Sequence, residues 1–233
     1  MYHPYFDRVA AWATEARFKD DVSAAHEAFF ARTGGAVFED DKSIEQRLAS
    51  FLDWYVFDRP RPPSGATPAA EFLELFAGEI HPSELPIYRG FCETVRGLFE
   101  LRGLPKAARV TVREACSGLQ YKVTERRALA GLARGDLFEA RLVPFQGEHY
   151  FSASFCFHPR AVRKAILAEV KRRRKAGSCD PGSLLDQLLT MALKYERYRN
   201  VAVEAIYDFR ATEGERGNES PPQDRRRGGR ADQ

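Results

Sequence analysis

Between Gly97 and Phe157 the apolar residues recur at every second position, and no other long stretch of the chain has that period. A period of two puts successive side chains on opposite faces of an extended backbone, so the middle of the chain is expected to form β-strands. Turn residues cut it into five runs: GLFELRGL, ARVTVREA, LQYKVTE, DLFEARLVPF and EHYFSASFCF. Cys116-Ser117-Gly118 and Gln146-Gly147 are short enough for tight hairpins. The link ERRALAGLARG is longer, with Gly131 and Gly135 as turn residues around an apolar anchor such as Leu129 or Leu132. Short connections predict antiparallel neighbours, and hence a meander or a small barrel.

The alternation also assigns faces. Val110 and Val112 oppose Arg109, Thr111 and Arg113, while Leu119, Tyr121 and Val123 oppose Gln120, Lys122 and Thr124. Phe138, Ala140 and Leu142 oppose Glu139, Arg141 and Val143; Phe151, Ala153, Phe155 and Phe157 oppose Tyr150, Ser152, Ser154 and Cys156. A sheet packed on one side and wet on the other is expected. Its wet side would carry Arg109, Arg113, Lys122 and Arg141, with Glu139 plainly against them.

Either side of the sheet the spacing of three and four predicts helices. Phe6, Val9, Ala13, Ala16, Val22, Ala25 and Phe29 mark one helix or a helix pair, stopped by Gly34-Gly35. Ser43 and Gln46 form a capping box for a helix with Ile44, Leu48, Phe51, Leu52 and Tyr55 on its apolar side. Pro60 to Gly65 ends that helix, and Thr67-Pro68 caps the next. Ser83 starts another that leads into the sheet; His158-Pro159 opens a basic helix broken by Gly177 and Asp180-Pro181; a last helix runs from Pro181 to Arg210. The expected fold is α+β, with a helical region at 1–96, an antiparallel five-stranded core at 97–158, C-terminal helices at 159–210 and a disordered tail at 211–233.

Composition excludes several classes. With 233 residues, 44% of them hydrophobic and 17 Phe among them, the chain can build a sizeable aromatic core, as one domain or two small ones. A net charge of +3 does not by itself imply nucleic acid. No apolar run approaches the ~18 residues of a membrane span, and the start lacks a signal peptide, which places the protein in the cytoplasm. Cys92, Cys116, Cys156 and Cys179 are dispersed without a C-x-x-C pair and are expected as reduced thiols. No Gly-rich phosphate loop occurs, which disfavours a nucleotide-dependent enzyme, and no cofactor is implied.

FLDWYVFD, the Gly65-Ala66-Thr67-Pro68 helix start, GLFEL and LARGDLFEARLVPF together resemble uncharacterised bacterial proteins that often carry a SEC-C zinc motif. The resemblance covers Phe51 to Phe157 and implies a shared scaffold without an established activity. The zinc motif of that group needs clustered cysteines near the C-terminus, where this chain has only Cys179, so neither zinc nor a partner is carried over.

Four constellations are candidates for function. Arg160, Arg163, Lys164, Lys171, Arg172, Arg173, Arg174 and Lys175 place eight cations on one helix, able to engage phosphates or an acidic partner together with the basic strand face. Such runs are more often solvated faces, and the strands show no evident stacking platforms. Tyr150, Ser152, Ser154, Cys156 and His158 project from one side of the last strand, but Cys156 and His158 are roughly 6 to 7 Å apart along it, too far for direct proton transfer. As metal ligands those two would need His149, Cys116 or Cys92 to converge. Asp136, Glu139 and Arg141 bear a faint likeness to a metal-dependent nuclease site, yet Gly135-Asp136 is ordinary turn chemistry. Glu39-Asp40-Asp41 reads as a solvated helix lead-in, and Trp12 and Trp54 as core anchors. The sequence thus favours a non-enzymatic interaction or regulatory module with an unknown protein partner. Nucleic-acid binding through the basic helix and strand face is the alternative, and a hydrolase using Cys156 or a nearby Ser the third reading.

Overall fold

The structure, a computed structural model, describes residues 1–106, 108–125, 132–177 and 179–210. The expected tail, Leu129 and Gly131 lie outside the described residues. Five helices come first: α1 (His3–Ala13), α2 (Lys19–Arg32), α3 (Ile44–Phe57), α4 (Pro68–Phe76) and α5 (Leu85–Phe91). Strands β1 (Val95–Lys106), β2 (Arg109–Glu114), β3 (Gln120–Thr124), β4 (Leu137–Phe145) and β5 (Glu148–Phe157) follow. Helices α6 (Arg163–Lys175), α7 (Pro181–Arg197) and α8 (Val203–Ile206) come last. Among the described residues no helix is long and apolar enough to cross a membrane.

Local chemistry explains most boundaries. Thr67 Oγ1 accepts from the Ala70 N–H at 3.3 Å and Pro68 fills the first turn of α4. Asp180 accepts from the N–H groups of Gly182 and Ser183 at 3.1 and 2.9 Å and starts α7. The capping box at Ser43 does not form, because Ser43 makes no side-chain cap. Glu196 of α7 instead accepts from the Lys42 and Ser43 N–H groups. The last predicted helix is two helices, α7 stopping at Arg197 and α8 resuming at Val203. The stripe on α3 is also rotated: Leu48 is exposed and Arg47 is buried.

The strands form a mixed sheet rather than an antiparallel meander. Pairing runs β1-β2-β3-β5-β4 and returns from β4 to β1, a closed barrel. Four pairs are antiparallel, but β3 and β5 run parallel through Val123↔His149 and Thr124↔Tyr150. The long link after β3 lets β4 cross over and pair with β1, leaving β5 to close the ring and hide both sheet edges.

Three apolar clusters hold the molecule. The barrel interior is Phe99, Leu101, Val110, Val112, Val123, Phe138, Ala140, Leu142 and Phe151. The N-terminal helices pack around Phe29, Trp54, Tyr55, Phe72 and Tyr88 against Val143 and Phe145 of β4. The C-terminal helices pack Ile166, Leu184 and Leu188 against Leu98 of β1 and Leu137 of β4. β4 is therefore buried on both faces.

The expectation of one wet face holds for β2 and β3 and fails for β4 and β5. Alternation groups residues on a face without saying what covers it. Here helices cover the polar face of β4 and β5 and bring polar partners to it. Ser154 donates to Asp53 of α3 at 2.8 Å, and within the sheet Arg96 of β1 donates to Glu139 at 2.7 Å. Phe157, assigned to the packed side, is half exposed.

Candidate nucleic-acid interface

Among the described residues no helix packs closely on the outer face of β2 and β3. Cross-strand register sets Thr111 opposite Lys122, Arg109 opposite Thr124 and Arg113 opposite Gln120. All six side chains are exposed or partly exposed. Lys122 has no ion-pair partner among the described residues. Arg109 pairs with Glu148, which also accepts from Thr124 Oγ1 at 2.6 Å.

At one end of this face Glu100 gathers three guanidinium groups. Arg113 Nη2 lies 2.7 Å from Oε2; Arg102 Nη1 and Arg163 Nη2 lie 3.1 and 2.6 Å from Oε1. The carboxylate is 2% exposed, whereas the three arginines are each exposed by more than a third. Burial opposes ionisation of Glu100, but hydrogen bonds from Arg163 and Arg113 outweigh it and hold the carboxyl below its ordinary range. One buried anion thus fixes three solvent-facing cations, and the cluster keeps a net positive charge. Arg163 stands at the start of α6, so the strand face and the basic helix meet here.

The remaining predicted cations divide into four groups. Arg160 is bound by Asp136 at 2.6 Å. Arg172 and Arg173 both hold buried Glu169, at 2.7 and 2.6 Å, so these two serve the fold as well as the surface. Lys164, Lys171, Arg174 and Lys175 are exposed and have no ion-pair partner among the described residues. Arg141 is a correction. It is 1% exposed beneath the helices, donates to Thr94 Oγ1 at 2.8 Å and pairs with Asp58, so it cannot reach a ligand on the open face. Arg102 and Glu100 went unread in the sequence; the opposite charges of Glu100 and Arg113 across β1 and β2 were the available signal.

The other candidates do not assemble. Burial pushes the Cys156 thiol up to about 12, with Glu139 adding to it, so the thiolate is scarce near neutrality. His158 Nδ1 faces the Tyr207 hydroxyl at 3.2 Å instead of Cys156. Asp136 accepts from the Ala133 N–H at 2.8 Å, the turn role expected of it, and Glu139 is tied to Arg96. Asp41 is no solvated lead-in: it pairs with Arg197 at 2.6 Å, and that bond brings its carboxyl down to about 2. Among the described residues no three His, Cys, Asp or Glu side chains gather as a metal site, and the four cysteines are free thiols.

No curated protein and no solved structure matches the chain. A family model does match residues 17–183, well over half of the 233 residues. The chain belongs to this family of unknown function, DUF7986.

Proposed function

We propose that the protein is a non-enzymatic cytoplasmic binding module whose open β2–β3 face and adjoining α6 surface take the phosphate backbone of a nucleic acid. The observation that carries this reading is the three-arginine cluster on Glu100, which joins the two basic surfaces and leaves more cations than carboxylates facing solvent. Strand order supports it by analogy. A five-stranded Greek-key barrel closing as β1-β2-β3-β5-β4, with β3 parallel to β5, has the connectivity of an OB-type barrel, which binds oligonucleotides or sugars on strands 2 and 3. The outward residues of β2 and β3 are Arg, Thr, Lys and Gln, with no ring among them on which a base could stack. Binding is therefore expected to be sequence-tolerant and governed by counterion release.

Fluorescence anisotropy with labelled single-stranded and duplex 20-mers tests this. About four phosphate contacts give a salt slope near −3, so affinity for the single strand falls about 60-fold from 50 to 200 mM KCl. Lys122→Glu, which breaks no ion pair among the described residues, lowers affinity about tenfold and flattens the slope. An acidic polypeptide that binds as tightly as DNA at equal charge would redirect the reading to a protein partner. A salt-independent or absent signal refutes it.

A further inference from the structure

A second site lies in a cleft of about 580 Å³ between α3, β5 and α7. That volume falls in the range of small-molecule sites. Its walls are largely apolar, with Leu189, Ala192, Leu193, Phe155 and Phe157 among them, and Arg47 and Cys156 stand within it. Phe157 and Tyr195, both large and partly apolar, are more than 40% exposed beside it.

Arg47 is the anomaly. Three arginines are buried among the described residues, Arg47, Arg61 and Arg141. Arg61 has Glu71 at 3.2 Å, and Arg141 has Asp58. Arg47, 4% exposed, has no carboxylate within ion-pair distance among the described residues. Its Nη2 donates to the Thr33 carbonyl and Oγ1 at 2.8 and 3.1 Å, its Nη1 to the Leu189 carbonyl at 3.5 Å, and its Nε has no partner. The carboxylates nearby are already engaged. Glu196 on the cleft wall accepts from the backbone of Lys42 and Ser43, and Asp41 is held by Arg197. Ser43 Oγ, also in the lining, is buried without a partner. Lys42 and Arg199 leave the lining with three cations against Glu196.

A buried guanidinium without a counter-ion is costly, and a fold keeps one where something else neutralises it. We infer that this cleft binds a small amphipathic carboxylate, its anionic head on Arg47 and its apolar tail along Leu193 and Phe157. A carboxylate fits because its charge offsets that of Arg47 together with Lys42 and Arg199 of the lining, while the apolar walls accept a hydrocarbon chain that inorganic anions lack. This site is independent of the nucleic-acid face, since its lining includes no residue of β2 or β3.

Isothermal titration of the full chain with decanoate, decanol and inorganic phosphate tests it. Decanoate binds with one-site saturation, decanol at least tenfold more weakly, and phosphate without detectable heat. Ala192→Trp fills the cleft, leaves Arg47 unsubstituted and reduces decanoate affinity at least tenfold. Arg47→Met is the second variant: if it folds, decanoate and decanol bind it equally; if it does not, Ala192→Trp and the decanol comparison still decide. Equal binding of decanoate and decanol to the natural chain, phosphate binding as tightly as decanoate, or an Ala192→Trp chain that binds decanoate undiminished overturns the proposal. So does the absence of saturable decanoate binding.

Discussion

Acid should destabilise this protein through His158 well before Asp41, held low by Arg197, titrates. The ring is 6% exposed, Nδ1 faces the Tyr207 hydroxyl at 3.2 Å, and Nε2 is buried with no partner among the described residues. Burial lowers its pKa from 6.5 to about 4. A histidine depressed on folding binds fewer protons folded than unfolded between those values, so its contribution is whole above pH 6.5 and is lost as pH falls towards 4. At 1.36 kcal/mol per pKa unit, the loss is about 3 kcal/mol, a large share of an ordinary domain's stability. Asp41, held near 2 by Arg197, contributes in a lower window, below the ordinary carboxylate pKa of 3.8. Asp53, Glu139 and Asp186, pushed up by burial, act in the opposite sense. Those groups are shared by the natural chain and a His158→Gln variant, so they cancel between the two. Urea unfolding of both at pH 7.5 and 4.5 should show the variant less stable at the higher pH. Between the two pH values it should lose about 2 to 3 kcal/mol less than the natural chain. Equal losses in the two proteins would refute the assignment of a buried neutral imidazole.

Arg141→Met should cost about 3 to 5 kcal/mol in urea unfolding, because it strands Asp58 and the buried Asp53, while leaving DNA affinity unchanged in the folded fraction. Gly97→Ala places a Cβ 2.7 Å from Glu114 Cγ. Displacing Glu114 strains its bonds to the Cys116 and Ser117 N–H groups, and a loss of about 1 to 3 kcal/mol is expected by thermal unfolding. Asp180→Ala removes both side-chain bonds that cap α7 and should lower stability by about 1 kcal/mol, while Asp180→Asn should retain most of it. Reversing Lys171, Arg174 and Lys175 to Glu should weaken DNA binding in anisotropy with the melting temperature preserved; adding Arg173→Glu sets a carboxylate against Glu169 and should lower that temperature as well.

Local periodicity was enough to find the five strands and the helices that flank them, because period and turn residues are properties of neighbouring positions. The parallel contact of Val123 with His149 was not legible, since it depends on where a long link sends the next strand. Ser152, Ser154, Glu139 and Arg141 were rightly grouped as polar faces and wrongly left in water. Their partners Asp53, Arg96 and Asp58 lie far off in sequence, and none of those pairings has a local signature. Arg47 was hidden for a related reason. Within Ile44–Phe57 the pattern admits Leu48 or Arg47 on the buried side, and hydrophobicity favours the leucine; the packed helix takes the arginine.

That choice gives a criterion for separating charges that serve the fold from charges that serve something else. Beneath the helices, Arg96, Arg61 and Arg141 each meet a carboxylate, so folding accounts for them and their substitution should be read in stability. On the open strands Glu100 answers three arginines and Lys122 is answered by none among the described residues, an imbalance that water tolerates and that folding does not require. In the cleft Arg47 meets no carboxylate among the described residues, where water cannot compensate it. Consistency between local choices and the global fold is the rule in natural chains, and departures from it concentrate at functional sites. The two departures here share no residue, so a variant at Lys122 and one at Ala192 should act on different ligands and leave each other's binding untouched.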